Sequence, residues 1–324
     1  MSKQPVRRRL FDALLDDITL LPLPAEDVVL DPREIANHTD LVRTMCSGAK
    51  VIEASNVARY FDESYIIGAD GGAAWKRDLK CLVPPYDRFF IEWEQPQVAG
   101  ALRMGVLYHV IKPGTGSESE RLAKAIAPKT YAAICERERE QPHWVYLTFT
   151  FIEFHKRPEH ITALRGPYGI AFWAIDKDGN ELGGAYAPNI DIVREQQNQV
   201  TFASLVSWTT LSMLNCANID TIERTVSAGY QKARAKSGKR PLVSYRTIRV
   251  NMERTPHSIG RQDLPPVDNE GKRLHAKRGH IKDYRKGNGL FGRYKGVWYW
   301  GPQLAGDEAE GIVMSDYKME GANR

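Results

Sequence analysis

The chain is expected to fold as an α+β protein, with helices at the N-terminus, then a mainly antiparallel sheet with helices packed on one face, and a basic C-terminal region. Three observations predict this. Leu10, Leu14, Leu15 and Ile18 recur at helical spacing near the start, whereas from Pro84 onward short aromatic and β-branched runs alternate in the two-residue period of strands. Asp176-Lys-Asp-Gly-Asn180 carries the turn chemistry of a hairpin, the connection between antiparallel strands. A hydrophobic content of 42% with 10% aromatics gives the chain enough apolar surface to offset the entropy of ordering.

Residues 6–21 read as an amphipathic helix that Pro22 and Pro24 end. Asp31-Pro32 pairs an N-cap with a proline at the first helical position, so a second helix is predicted from there to Ser47-Gly48. Val51 to Tyr65 reads as a third. Gly68 to Ala74 is then a flexible connection whose glycines match no phosphate-loop spacing. Arg88 to Glu94 and Leu102 to Lys112 are predicted strands, and Gly114 to Glu140 is a helical excursion around Leu122, Ala125, Ile126, Tyr131 and Ile134. Strands resume at Trp144 to Phe154 and Tyr168 to Ile175.

Residues 200–215 are apolar nearly all round, as in a helix packed on a sheet. Arg224 to Ala235 reads as a basic helix stopped by Ser237-Gly238, and Leu242 to Val250 alternates like a strand. A length of 324 residues suits one large or two closely packed domains. The expected divisions are a helical region at 1–75, an α+β core at 76–250 and a basic segment at 251–324 packed on that core.

No apolar run approaches the about 20 residues that cross a bilayer, and no apolar stretch follows the basic N-terminal residues. A soluble, cytoplasmic protein is therefore expected. The four cysteines lie far apart with no histidine at ligand spacing, which signals neither zinc nor a disulfide framework. No cofactor and no metal is expected. Asp176-x-Asp-Gly begins like a calcium loop, but the downstream glutamate is missing at the required spacing.

Charge is unevenly distributed. Tyr230 to Lys295 holds 18 Lys/Arg against 5 Asp/Glu, leaving 27 of the 45 basic and 35 of the 40 acidic residues elsewhere. Such an asymmetry is expected where one face meets phosphate.

Four blocks stand out together: Pro84-Pro-Tyr-Asp-Arg-Phe-Phe-Ile-Glu-Trp93, Asn215-Cys-Ala-Asn218, Lys232-Ala-Arg-Ala-Lys-Ser-Gly-Lys-Arg-Pro-Leu-Val-Ser-Tyr245 and Arg278-Gly-His-Ile-Lys-Asp-Tyr284. In these blocks the chain resembles a family of uncharacterised bacteriophage and prophage proteins. The family's Arg-Gly-His-x-Arg block has Lys282 in its last place here, and Gly301 to Gly306 is a looser form of its Pro/Gly-rich tail. The resemblance implies a phage origin and expression in the cytoplasm of a bacterial host. It brings no activity with it.

The chemistry is read from the residues. Cleaving RNA without a metal needs a base for the 2′-hydroxyl proton, an acid for the leaving oxygen and cations for the phosphorane. His275 and His280 suit the first two roles, because imidazole exchanges protons near neutrality. On a regular helix they would stand roughly 140° apart, so convergence needs a loop or extended chain at Gly279. Lys277, Arg278, Lys282, Arg285, Arg293 and Lys295 offer phosphate contacts, Tyr284 can donate or stack, and Lys239 and Arg240 close a second basic cluster with Lys232, Arg234 and Lys236.

Trp298-Tyr-Trp300 can stack bases, although alternation sends at least one side of such a strand into a core. Glu92 and Glu94 face the same way and, with Glu153, could serve a metal-dependent nuclease. His155 to His160 reads as a solvated connection. The expected function is nucleic-acid engagement, RNA favoured over DNA, with metal-free endoribonuclease activity. The alternatives are a non-catalytic nucleic-acid-binding regulator and a virion or host-defence-interaction protein with a protein partner or a second copy of itself.

Overall fold

The computed structural model describes residues 9–16, 20–21, 32–58, 79–94, 101–136, 142–154, 164–187, 194–251, 273–277, 280–290, 292–300, 303–305 and 307–313. The chain forms two compact units. One comprises Met1–Asn215 with Asp220–Arg249, the other Cys216–Ile219 with Val250–Arg324.

The first unit is built on a mixed sheet. Its strands are β1 (Leu20–Leu21), β2 (Lys50–Glu53), β3 (Arg88–Glu94), β4 (Ala101–Ile111), β5 (Trp144–Phe154), β6 (Leu164–Ile175), β7 (Glu181–Tyr186), β8 (Ile219–Arg224) and β9 (Tyr245–Val250). Their order is β1-β6-β5-β4-β3-β2-β9-β8, with β7 also paired to β6. From β3 to β7 each strand pairs antiparallel with the next. By contrast β2 runs parallel to both β3 and β9, and β1 parallel to β6. The protein is α+β, but its sheet is mixed.

Seven helices are described, and they are spread along the chain rather than gathered at its start. They are α1 (Leu10–Leu15), α2 (Pro32–Cys46), α3 (Ser55–Ala58), α4 (Glu118–Ile126), α5 (Pro128–Cys135), α6 (Arg194–Leu214) and α7 (Ala228–Lys236). They also occupy both faces of the sheet rather than one. Adjacent residues of β6 show this: Phe172 meets Tyr131 of α5, with ring centroids 6.3 Å apart, while Trp173 meets Trp208 of α6 at 4.6 Å. Neighbouring strand residues point to opposite faces, so both faces are covered by helices. Phe90, Leu107, Phe149 and Phe151 join Leu10, Phe11 and Leu14 of α1 in the core on the first face. Tyr108 reaches Ser207 of α6 across the second, at 2.7 Å.

Two predicted helices differ from the structure. The first is one short helix, and Leu20-Leu21 leave it to pair with β6. In place of the third, Val51 to Glu53 form a parallel strand, followed by a single helical turn. Val51 and Ile52 are β-branched, and the pairing they gain from β3 and β9 outweighs a local helical pattern. The excursion after β4 breaks into α4 and α5 at Pro128, whose ring cannot continue a helix. The hairpin at 176–180 forms with Asp176 accepting from the Asp178 and Asn180 amides at 2.8 Å each, an Asx-type closure. Cys46, Cys81 and Cys216 are buried and Cys135 is half-buried, and none of the four is in a disulfide.

The second unit contains β10 (Arg273–Lys277), β13 (Gln303–Ala305) and β14 (Asp307–Val313) in one small sheet, and β11 (His280–Asp283) with β12 (Val297–Trp300) in another.

Candidate nucleic-acid interface

β11 and β12 pair antiparallel, with His280 opposite Trp300, Ile281 opposite Tyr299, Lys282 opposite Trp298 and Asp283 opposite Val297. Alternation therefore separates a face of Ile281, Asp283, Val297 and Tyr299 from a face of His280, Lys282, Trp298 and Trp300. Ile281, Val297 and Tyr299 are buried, and Asp283 at the end of that row is exposed. Their strand is anchored along its free edge by the segment Cys216 to Asn218. The Ala217 N–H donates to the Val297 carbonyl at 2.7 Å. Asn218, fully buried, accepts from the Tyr299 N–H at 2.9 Å and donates to its carbonyl at 2.7 Å. The side-chain amide thus imitates a neighbouring strand.

On the second face the His280 ring lies parallel to Trp300, with centroids 6.2 Å apart and planes within 5°. The Lys282 ammonium stands 4.9 Å from the centre of the same indole, a cation–π position. Trp298 is buried, with Tyr294 edge-on to it at 6.2 Å. Trp298 therefore packs and Trp300, half-buried, shares its surface with His280 and Lys282.

The connection between the strands is shaped by glycines. Gly289 has φ +83°, and a Cβ there would lie 2.9 Å from the Tyr294 backbone, so a side chain at this position would collide with the loop. Around this turn Lys282, Lys286, Arg293 and Lys295 are exposed. Asp283 is the single acidic residue from 280 to 300. Its carboxylate accepts from the Arg285 side chain at 2.8 to 3.1 Å and from the Arg285 amide at 2.9 Å. Arg285 is thereby engaged within the turn, whereas Lys282, Arg293 and Lys295 form no ion pair among the described residues. Tyr284 is half-buried, and its N–H donates to the Gly296 carbonyl at 2.8 Å.

The backbone places His275 and His280 on strands of two different sheets, His275 paired with Ala305 and Val313, His280 with Trp300. The side chains of His275 and Lys277, and all of Arg278 and Gly279, lie outside the described residues, as does the His155 to His160 connection. Lys286 belongs with the exposed cations although sequence reading did not single it out; its signal was only its place in the loop.

In the first unit, α7 buries none of its residues. It is held instead by Gln231, which exchanges two hydrogen bonds with the Leu242 backbone at 2.7 and 2.9 Å, and by Arg234, which donates to the Arg240 carbonyl and pairs with Asp16 at 3.4 Å. Residues 225–250 contain seven Lys/Arg and no Asp/Glu. Lys232, Lys236, Lys239 and Arg240 are exposed and unpaired among the described residues.

The carboxylates on the strands do not make a metal centre. Glu92 is 3% exposed, Glu153 is paired with Arg103 at 2.5 Å, and no group of three or more His, Cys, Asp or Glu among the described residues could hold an ion. No helix among them is long and apolar enough to cross a membrane. No family model, no curated protein and no solved structure matches the chain.

Proposed function

We propose that this is a phage-type protein of the bacterial cytoplasm that engages a nucleic-acid strand, RNA in preference to DNA, through the His280, Lys282 and Trp300 face and the cations beside it. The observation that carries the reading is the placement of an imidazole and an ammonium over one half-buried indole, next to exposed Arg293, Lys295 and Lys286, with the nearby carboxylate already occupied by Arg285. Base stacking on an aromatic surface and phosphate attraction to unpaired cations are the two contributions that hold a single strand. The unpaired cations of Lys239 and Arg240, with Lys232 and Lys236, add a second surface for phosphate. The resemblance of the Arg278-Gly279-His280 block to phage and prophage proteins is in keeping with the proposed setting.

The test is fluorescence anisotropy with labelled single-stranded RNA and DNA of equal length, across a salt series. Binding should weaken steeply with added salt, as counterion release requires, and Trp300→Ala and the triple variant Lys282→Glu, Arg293→Glu, Lys295→Glu should each weaken it at least tenfold. Unchanged binding in both variants sinks the reading. The same mixtures incubated with a chelator and run on a denaturing gel test cleavage. RNA cut by the native chain but not by His275→Ala, His280→Ala would assign the two histidines as base and acid; intact RNA would leave a binding protein. Recovery of a protein partner or a self-associated form in place of nucleic acid would favour the virion or host-defence alternative.

A further inference from the structure

Helix α1 is held on the sheet by a contact no local pattern supplies. Its N-cap residue, Arg9, makes no side-chain cap. The orphan Phe11 N–H at the helix start donates instead to Glu92 Oε2 of β3, at 2.9 Å across 81 positions of the chain. Arg9 lies beside this carboxylate, its Nε 3.7 Å from Glu92 Oε1, while it pairs with Asp12 at 3.1 Å and stacks over Tyr245 at 4.2 Å. Asp12 in turn accepts from the Val243 N–H at 3.0 Å. Glu92 Oε1 and Arg9 Nη1 are buried with no hydrogen-bond partner.

We propose that α1 is a proton-sensitive latch, docked firmly on β3 and β4 while Glu92 carries a proton and released more readily when Glu92 is ionised. This is independent of nucleic-acid binding. The described groups facing Glu92 are Arg9 and Asp12 from α1, Glu53 at the same level on β2, Arg103 near it on β4 with its partner Glu153 on β5, and Glu94 on its own strand. Two are cationic and four anionic, so the surroundings do not neutralise a buried carboxylate fully.

Burial pushes the Glu92 carboxyl up to about 7, with Arg9 and the Phe11 N–H acting against that rise and Asp12 adding to it. When α1 lifts away, water reaches Glu92 and its affinity for a proton falls toward the ordinary carboxylate value of about 4.3. The docked state then binds more protons than the lifted one between these two values. Docking is accordingly favoured at acid pH and weakened as pH rises through about 7. Release would uncover apolar surface at Phe90, whose ring Phe11 meets at 5.1 Å.

The experiment is hydrogen exchange of the full chain at pH 5.5 and pH 8, with amide rates corrected for their intrinsic pH dependence. Protection in α1 should fall by about 30-fold between the two, while amides of β4 and β5 keep theirs. In Glu92→Gln, which retains an acceptor for the Phe11 N–H and cannot ionise, protection of α1 should be high and unchanged with pH. Equal pH dependence in native and Gln forms, a flat profile in the native chain, or loss of protection in β4 and β5 together with α1 would each overturn the latch.

Discussion

Asn218 and Tyr299 exchange two hydrogen bonds, 2.9 Å from the Tyr299 N–H to Asn218 Oδ1 and 2.7 Å from Asn218 Nδ2 to the Tyr299 carbonyl. One fully buried side chain therefore satisfies both backbone groups of a buried strand residue. Asn218→Ala leaves those two groups without partners at about 1 to 3 kcal/mol each. The expected result is a loss of about 2 to 6 kcal/mol in urea unfolding followed by tryptophan emission. A loss below about 1 kcal/mol would mean that water replaces the amide, and that Asn218 does not order the edge of β12.

His109 predicts a loss of stability in acid. It is 1% exposed on β4, 3.2 Å from the Ser119 hydroxyl and 3.1 Å from the Met45 carbonyl. Burial, with the Arg88 guanidinium adding to it, pushes the imidazole down to about 4, against the pull of the Met45 carbonyl. The native state therefore binds fewer protons than the unfolded chain between about 4 and about 6.5. Its stabilising contribution is present above about 6.5 and is lost as pH falls toward about 4, to the extent of about 3 kcal/mol. Glu92 acts in the opposite sense, its contribution being present below the ordinary carboxylate range and lost as pH rises through about 7. In chemical denaturation over pH 4 to 8, His109→Gln should flatten the acid side and Glu92→Gln the alkaline side. Identical profiles for either variant and the native chain would contradict the assignment.

Gly105 is opposite Glu92 in the register of β3 and β4. A Cβ there would fall 2.3 Å from Phe90 Cζ and 3.2 Å from Leu10 Cδ2. Phe90 is itself fixed by Phe11 at 5.1 Å and Phe151 at 6.2 Å, so its ring has little room to retreat. Gly105→Ala should cost about 1 to 3 kcal/mol through overpacking and loosen α1 in hydrogen exchange. Full retention of the native melting temperature would show that the ring can move.

Asp283 and Arg285 separate charge count from charge availability. Arg285→Ala should change nucleic-acid affinity less than twofold, because its guanidinium already serves the turn, whereas Arg293→Ala should weaken binding and reduce the salt slope by about one. Asp283→Asn should strengthen binding at low salt. Anisotropy titrations of the three variants against one labelled RNA make the comparison, and a larger loss for Arg285→Ala than for Arg293→Ala would reverse the proposed roles.

Much of the local structure was legible in the residues themselves. The strands β3 to β6 announce themselves by aromatic alternation, the 176–180 hairpin by its Asp, Gly and Asn, and α2 ends at Cys46 just before Gly48, whose φ is +74°. These features depend on neighbours within a few positions, where pattern and conformation are tied by sterics and hydrogen bonding. Lys282, Arg293 and Lys295 are likewise visible in the sequence as cations, while their exposure is read from the structure.

Tertiary structure decided the rest, because the deciding partners lie far along the chain. Val51 to Glu53 become a strand only because Phe89 to Glu92 and Tyr245 to Thr247 run alongside them. Glu92, an alternating strand residue like Glu94, becomes a buried helix cap only because α1 folds over it. His275 and His280, five positions apart, join different sheets according to partners near the end of the chain. Residue order determined which segments could be strands, turns and cations; long-range pairing and burial determined which carboxylate is buried against a helix start, which arginine is engaged and which tryptophan meets a lysine.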